Sequence, residues 1–366
     1  MIKLKTEVLR DMLNKAVKVC SFNEMLPLTG LVEMETNAEG LFLKTTDGNT
    51  TMVIKEKIEG LEPARVTVDA NIITALVNKI TTEDIELLIS NNALTITGNG
   101  VYNLEIRVDE SGEIVKLPAI NQELANSATK EFDFKGIVER LNICKSAIAV
   151  GEDGKELRNY YLKDMIIATD QVKVSAVSNI PSMVNEELFI GVDLGRIIMD
   201  LGFIKANYAR SNENLVIVGE NFVLSSTMQL DDLGNYGKTL QGVQGLINSV
   251  YANKVTVKKN DLISLLDRLG IFVSEYDSSS IDLLFLPEYI KVTNQKKTCD
   301  EIIKYEKAEV NGLVEFPSVL NIEHLRQLLA VLPDETIEFQ FDSSMPTVKI
   351  VDGDIVQFLG IMDENQ

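Results

Sequence analysis

The chain has 366 residues, 45% hydrophobic and 25% charged, enough apolar material for two or three domain cores and too much for a disordered chain. Asp and Glu number 55 against 35 Lys and Arg; the net charge of −20 excludes a uniformly basic nucleic-acid-coating surface and still allows a locally basic face. Cys20, Cys144 and Cys299 lie far apart and outside any zinc spacing, which excludes a disulfide framework and fits a reducing cytoplasm.

The first fifteen residues carry charge where a signal peptide needs an apolar stretch, and no run approaches the roughly 18 uncharged apolar residues of a membrane span. An intracellular protein is expected. Apolar residues at helical spacing (Val8, Met12, Leu13, Ala16, Val17, Cys20) predict an amphipathic helix over 7–20. Alternating strands around the turn NAEG follow. Residues 66–106 then read as strand VTV, Asp69, a helix over 70–80, strand IELLIS, a turn at Asn91-Asn92, LTIT, Gly98-Asn99-Gly100, and VYNLEI. After a Ser- and Asn-containing connector at 121–129, EFDF feeds a helix over 134–147. The earlier order then returns: LFIGV, Asp193, a helix over 193–205, the turn SNEN, LVIV, Gly219-Glu220-Asn221 and FVLSSTM. A glycine-containing connector at 234–250 leads to a helix over 260–272. The order comes a third time as VL, Asn321, a helix over 322–332, IEFQF, a Ser-Ser-Met-Pro turn, TVKIV, Asp352-Gly353-Asp354 and IVQFLGIM.

Asp69, Asp193 and Asn321 each precede a helix and can accept from its free N–H groups, so all three are expected N-caps. They stand 124 and 128 residues apart, close to a third of the chain, so the repeating unit is a domain. The expected fold is α+β: three repeated domains, 1–122, 128–248 and 253–366, each with two helices against antiparallel sheet.

Chemistry finds little support. His324 has no second histidine and no cysteine near it, and is expected as a half-buried helix residue. Cys20 and Cys144 fall on apolar helix faces as inert thiols, and Cys299 lies in a polar loop. The acidic clusters Glu152-Asp153, Asp231-Asp232 and Asp352-Gly353-Asp354 lack calcium-loop spacing and are expected as hairpin turns. Phosphate-loop, dinucleotide and nucleophile-elbow motifs are absent. No catalytic residue, metal or cofactor is expected. The alternative is a metal-dependent nucleic-acid or phosphate enzyme that uses the acidic loops.

Charge is unevenly spread. The six predicted helices hold eleven Lys and Arg against eight Asp and Glu, net +3, which leaves −23 for the rest. The basic members are Arg10, Lys15, Lys18, Lys79, Lys135, Arg140, Lys145, Arg196, Lys205, Arg268 and Arg326, with Lys258 and Lys259 just before a helix. All but Arg326, Lys258 and Lys259 are carried forward as candidate contacts to a phosphate backbone.

The ordered set MLPLTGLVEME (25–35), GLFLKTTDG (40–48), GNGVYNLEI (98–106), LRNYYLKDM (157–165) and VLNIEHLRQLL…FLGIM, together with the threefold period, resembles the bacterial DNA polymerase III beta subunit, the ring-shaped sliding clamp of replication. The resemblance covers the whole chain. It implies a head-to-tail homodimer whose six domains close a ring, helices lining the hole and sheets outside, with no catalysis of its own. Implied partners are double-stranded DNA, DNA polymerase, the clamp loader and other clamp-motif proteins, in the cytoplasm and off the membrane. By family position Tyr160 and Tyr161 match a DNA-touching loop, and Asn23 stands where the family has a loop arginine. Tyr102 and Leu104 are expected to meet Ile271 and Phe272 across the dimer interface. The family's peptide cleft implies Leu162, Val174, Val177, Met183, Gly360 and Met362 as lining, with Asp363-Glu364-Asn365-Gln366 in place of its more apolar end. Its opposite wall reads Thr-Asp-Gly-His-Arg-Leu; aligning Val172-Lys173-Val174 with Phe42-Leu43-Lys44 places that wall at Ala176 to Pro181 rather than at Ala168-Thr169-Asp170.

Overall fold

The computed structural model describes residues 2–90, 93–149, 155–183, 187–228, 233–272, 279–310 and 315–362. In chain order the first elements are β1 (Ile2–Lys5), α1 (Thr6–Ala16), β2 (Leu31–Asn37), β3 (Gly40–Thr46), β4 (Thr50–Glu56), β5 (Ala64–Asp69), α2 (Ala70–Lys79), β6 (Asp84–Ile89), β7 (Ala93–Thr97) and β8 (Val101–Glu105). Next come α3 (Gln122–Asn126), β9 (Lys130–Asp133), α4 (Phe134–Cys144), β10 (Asn159–Leu162), β11 (Met165–Thr169), β12 (Lys173–Ser178), β13 (Leu188–Gly191), α5 (Val192–Leu201), β14 (Lys205–Arg210), β15 (Asn214–Val218) and β16 (Phe222–Thr227). The last are α6 (Leu233–Asn248), β17 (Asn253–Lys258), α7 (Lys259–Gly270), β18 (Ser280–Phe285), β19 (Tyr289–Asn294), β20 (Asp300–Lys304), β21 (Lys307–Glu309), β22 (Phe316–Asn321), α8 (Ile322–Leu329), β23 (Thr336–Phe341), β24 (Thr347–Asp352) and β25 (Ile355–Gly360). The α+β expectation holds, and among the described residues no helix is long and apolar enough to cross a membrane.

Two compact units emerge. The first comprises residues 1–135 and 196–230. It contains a four-stranded sheet, β1-β6-β7-β8, and an eight-stranded sheet, β5-β2-β3-β4-β16-β15-β14-β9. Its sheets are antiparallel throughout, and β4 joins β16 in register Thr50↔Ser226 to Ile54↔Phe222, so strands far apart in sequence share one ladder. Helix α1 buries Leu9, Met12, Leu13 and Ala16, and the Thr45 hydroxyl donates to the Ala16 carbonyl at 2.8 Å, fixing the helix end on β3. Helix α2 starts where expected: the Asp69 carboxylate accepts from Ile72 N at 2.9 Å, a cap worth about 1 kcal/mol. The two helices are tied by Asn14 and Asn78, whose amides exchange bonds of 3.2 and 3.0 Å. An aromatic cluster fills the far end of this core: Phe134 meets Phe132, Phe203 and Phe222 edge-on, and Phe203 stacks on Phe222 at 3.6 Å.

Glu33 is the unusual core residue here. Its carboxylate is 1% exposed, with Lys44 Nζ at 3.0 Å, Arg65 Nε at 3.4 Å and the Leu117 amide donating to Oε2 at 2.6 Å. A buried charge survives only when paired and hydrogen-bonded, and this one pins the 107–117 segment to β2.

The second unit comprises residues 136–195 and 231–366. Its sheets are β13-β10-β11-β12-β25-β24-β23-β17-β21 and β20-β19-β18-β22. Here β12 pairs with β25, Lys173↔Leu359 to Val177↔Ile355, repeating the β4–β16 join. Leu262, Leu265, Leu266 and Leu269 of α7 and Ile322, Leu325, Leu328 and Leu329 of α8 are buried, and Phe285 stacks on Phe341 at 4.2 Å beside Phe316. Asn321 caps α8 as expected, accepting from His324 N at 3.0 Å.

Three expectations need correction. Asp193 is not the residue before the helix: α5 begins at Val192, and Asp193 sits in its first turn, 3.5 Å from Arg158, where a negative charge meets the positive helix end. The stretch expected as a connector at 234–250 contains the 16-residue helix α6. Gly234, Gly237, Gly242 and Gly245 lower its intrinsic propensity by about 1 kcal/mol each, but Leu240 and Val243 bury an apolar stripe that outweighs it. Helix α3 likewise occupies part of the 121–129 connector, capped by Asn121, which accepts from Leu124 N at 3.0 Å.

Candidate nucleic-acid and partner surfaces

In the first unit the fold gathers several of the basic candidates. Helix α1 carries Arg10 and Lys15, with Lys18 just beyond its end; α2 carries Lys79, α5 Arg196, and β14 opens on Lys205. Arg196 Nη1 donates to the Lys18 carbonyl at 3.4 Å, which brings the end of α1 and the start of α5 together. A groove of about 910 Å³ is lined by Lys15, Lys205, Phe203, Phe222, Gly219 and Glu131 among others, and Lys15 Nζ stands 5.5 Å from the Phe203 ring centroid. Gly219 is required there, since an added Cβ would lie 2.0 Å from the Phe222 ring.

The basic side chains differ in what they do. Lys18, Lys79, Lys135 and Lys205 are exposed and have no ion-pair partner among the described residues. Arg10 is half-buried and donates to the Ile80 carbonyl at 2.7 Å, so it ties α1 to the end of α2. Lys15 pairs with Asp11 at 2.6 Å. In the second unit Lys145 is exposed, whereas Arg140 donates from Nε to the Ser178 carbonyl at 2.6 Å and from Nη1 to Gly136 at 3.2 Å. Arg268 is held in both arms by Glu301, Nε at 2.9 Å and Nη2 at 2.5 Å. That bond and the adjacent charges hold Arg268 above and Glu301 below their ordinary pKa ranges.

The tyrosine pair does not offer its rings to solvent. Tyr160 is 1% and Tyr161 4% exposed, because β10 is flanked by β11 and β13 and covered on both faces. The Tyr160 ring lies so close to Gly195 that an added Cβ would sit 2.7 Å away. The Tyr161 hydroxyl donates to Glu187 at 3.2 Å, and burial, then Glu187, push its phenol up to about 12. Stacking on DNA bases is therefore corrected to core packing for both.

Two of the expected interface residues stand on a sheet edge and two in an exposed turn. Tyr102 and Leu104 share one face of β8, the outer strand of its sheet. Ile271 and Phe272 follow α7 and are 79% and 55% exposed. In the same unit β20 is also an outer strand, with Ile302 53% exposed next to Glu301.

For the cleft, the hydrogen bonds overturn the expected register. Thr46-Asp47-Gly48-Asn49-Thr50 and Thr169-Asp170-Gln171-Val172-Lys173 form the same turn. The threonine hydroxyl donates four residues on (2.9 and 2.8 Å) and accepts from the third residue's N–H (3.1 and 3.0 Å). The Asp carboxylate accepts from the fifth residue's N–H at 2.6 Å in both. Gly48 and Gln171 both have positive φ, 100° and 74°. So β11 is the counterpart of β3, and within the repeat Thr169-Asp170-Gln171-Val172-Lys173 matches Thr46-Asp47-Gly48-Asn49-Thr50, which overturns the alignment of Val172-Lys173-Val174 with Phe42-Leu43-Lys44. Strand phase alone could not decide this; the side chains that close the turn do.

The apolar cleft candidates are mostly core. Leu162 and Met183 are fully buried, Val174 and Val177 nearly so, and only Gly360 and Met362 are half-exposed, joined by Val172. Residues 363–366 lie outside the described residues. Sequence reading missed Lys173, which is 6% exposed and reaches Gln327 Oε1 at 3.1 Å and Asp170 at 3.3 Å. His324 is half-buried as expected, and desolvation followed by Lys173 holds its imidazole below the usual range, so it is neutral at pH 7.

Asp352 is buried, with its carboxylate accepting from Asp334 N at 3.1 Å, and burial holds its pKa above the ordinary range. Glu152-Asp153 and Asp231-Asp232 lie outside the described residues, among which no group of three or more His, Cys, Asp or Glu could hold a metal ion. Burial pushes both the Cys20 and Cys144 thiols up to about 12. At pH 8 only about one in ten thousand of either is thiolate, so in native protein a thiol reagent is expected to label Cys299 alone. Mass mapping after a brief pulse checks this; early labelling of Cys144 would contradict its packing.

Residues 1–118 match the family model of the DNA polymerase III beta subunit, N-terminal domain. The whole chain is similar in structure to the DNA polymerase III beta chain of Streptococcus pneumoniae (14% identity, 99% of each chain, TM-score 0.84). It is likewise similar to the beta subunit of Borrelia burgdorferi (17%, 99% of each, 0.84) and to the sliding clamp of Bacillus subtilis (17%, 99% of this chain and 98% of the other, 0.82). No curated protein matches the sequence.

Proposed function

We infer that this chain, a divergent member of the DNA polymerase III beta subunit family by its first 118 residues and by its fold throughout, works as a DNA sliding clamp: a non-enzymatic ring that encircles duplex DNA and tethers a polymerase. One observation supports ring closure most directly. The third strand of each β-hairpin series pairs with the third strand of another, β4 with β16 and β12 with β25, and two third strands, β8 and β20, are left as sheet edges. Pairing β20 of one copy with β8 of the next satisfies both edges and closes a head-to-tail dimer of three-domain chains, 1–122, 128–248 and 253–366, whose edges would otherwise invite aggregation. Tyr102 and Leu104 then meet Ile271 and Phe272, and Arg268 with Glu301 belongs to this rim rather than to the DNA surface.

The DNA face is carried by Lys18, Lys79, Lys135, Lys145, Lys205 and Arg196, with Lys15 beside them, while Arg10 and Arg140 hold the scaffold. Sparse exposed lysines give weak, sequence-neutral attraction, which is what sliding needs. Polymerase, the clamp loader and other clamp-motif proteins dock at a reshaped cleft around Val172, Gly360 and Met362, in the cytoplasm. The enzyme alternative has no comparison behind it, and the Asp352 carboxylate is turned inward.

Retention on DNA tests the reading: the protein assembled on a nicked circular plasmid is expected to survive gel filtration and to be lost on linearisation. Equal retention on both forms contradicts a ring. On linear duplex, replacing Lys18 and Lys205 with glutamine is expected to flatten the log–log salt dependence of binding by about 2, and to change stability by less than about 0.5 kcal/mol. An unchanged salt slope would remove these two from the DNA face.

A further inference from the structure

In the first unit, four large apolar side chains crowd onto one surface loop. Phe22, Met25, Leu26 and Leu28 are 40%, 89%, 52% and 41% exposed within seven residues, and polar Ser21, Asn23 and Glu24 are exposed around them. Four large apolar side chains exposed within seven residues are a local concentration, unlike the single scattered ones every protein shows.

The loop is built to hold them outward. Asn23 Oδ1 accepts from Met25 N at 2.9 Å, and Asn23 N donates to the Thr29 hydroxyl at 3.1 Å, which donates to the Leu26 carbonyl at 2.8 Å. Thr29 itself is 1% exposed beneath the loop. Phe22 has φ of 50°, left-handed backbone that a bulky residue adopts only where its surroundings over-determine it. An added Cβ on Gly30 would meet its ring at 3.4 Å.

The patch also sits at a repeated landmark. Leu26 lies over the Thr46–Thr50 turn, its Cδ1 3.8 Å from where a Gly48 Cβ would stand. That turn duplicates Thr169–Lys173, and the strand beyond it joins in the same way: Thr227 N donates to the Asn49 carbonyl at 3.0 Å, as Gly360 N does to Val172 at 2.9 Å. The first-unit turn keeps Thr-Asp-Gly, where the second has Thr-Asp-Gln, and it has open apolar neighbours where Leu162 and Met183 are closed.

Charge selects the occupant. From Ser21 to Leu28 there is Glu24 and no Lys or Arg, so these residues, unlike Lys18 before them, present no cation to a phosphate backbone. Apolar anchors beside a carboxylate complement apolar side chains flanked by cations. We propose that Phe22, Met25, Leu26 and Leu28 form a second protein-docking site, which takes a short partner segment of leucine, isoleucine or phenylalanine flanked by lysine or arginine. The inference rests on the clamp reading only in taking that partner to be a replication protein.

The test uses the full chain labelled with ¹³C at its methionine methyls, with Met25 and Met362 assigned by Met25→Leu and Met362→Leu. The probe is a synthetic peptide, Lys-Lys-Leu-Ile-Phe-Lys, with a short DNA duplex in a parallel titration. Saturable movement of Met25 by the peptide is expected. Leu26→Ser combined with Leu28→Ser should weaken the Met25-reported affinity by about tenfold or more, with the Met362 response unchanged. Both leucines are exposed, so an unchanged melting curve certifies the variant's fold. Movement of Met362 alone overturns the second site and leaves the clamp reading standing, as does no movement with intact retention on circular DNA. Movement of Met25 by the duplex in place of the peptide also overturns it. Loss of circular-DNA retention beside a saturable Met25 response would instead sink the clamp and keep the docking site.

Discussion

Alanine at both Ile271 and Phe272 is expected to convert the protein from dimer to monomer at micromolar concentration. The two side chains are the most exposed apolar pair next to α7, at 79% and 55%, and a monomer gains nothing by displaying them. Across the proposed junction they face Tyr102 and Leu104 on β8, beside Val101, which is 67% exposed. Central aromatic and branched residues each contribute about 2 kcal/mol or more to such interfaces, so the pair should raise the dimer dissociation constant by about a thousandfold for each of the ring's two junctions, less if their effects overlap. Sedimentation across a dilution series measures it. Because neither side chain is buried within its own unit, the far-UV spectrum should be unchanged, and the melting curve should match that of wild-type protein diluted to monomer. A dimer mass that persists below micromolar concentration would take these residues out of the interface.

The second large effect is expected at Glu33→Ala. The substitution leaves the Leu117 amide without its 2.6 Å acceptor and removes the charge that Lys44 and Arg65 share; Arg65 keeps Glu35 at 3.1 Å, while Lys44 loses its partner in a largely buried position. Breaking a buried, hydrogen-bonded charge network costs about 3 kcal/mol, or about 6–12 °C in melting temperature for a unit of this size. Glu33→Gln keeps an acceptor for the amide and should fall between the two. Calorimetry on the three proteins gives the answer, and a loss under about 1 kcal/mol for the alanine variant would mean that the 107–117 segment is held by other contacts.

The repeat, the α+β class and most helix starts were legible in the sequence because they are local. An N-cap such as Asp69 or Asn321 acts within three residues, and strand alternation is written every second residue. The basic character of the helices was legible too, since charge needs no partner to be counted. Tertiary structure decided what each side chain faces. Tyr160 and Tyr161 read as a DNA-touching pair by family position until β10 proved to lie between β11 and β13 in the sheet with all four of its residues buried. Arg10, Arg140 and Arg268 were counted with the free cations, yet a carbonyl or carboxylate supplied by another segment claims each one. Helix α6 was hidden by its glycines, because propensity is a local quantity and the burial of Leu240 and Val243 is not. The register of the Thr169 turn was present in three letters, but only its hydrogen bonds, matched one by one to those at Thr46, fixed it. Composition and spacing determine which elements form; which groups remain free to bind is set by the strand or loop that lands opposite them, and that depends on long-range pairing.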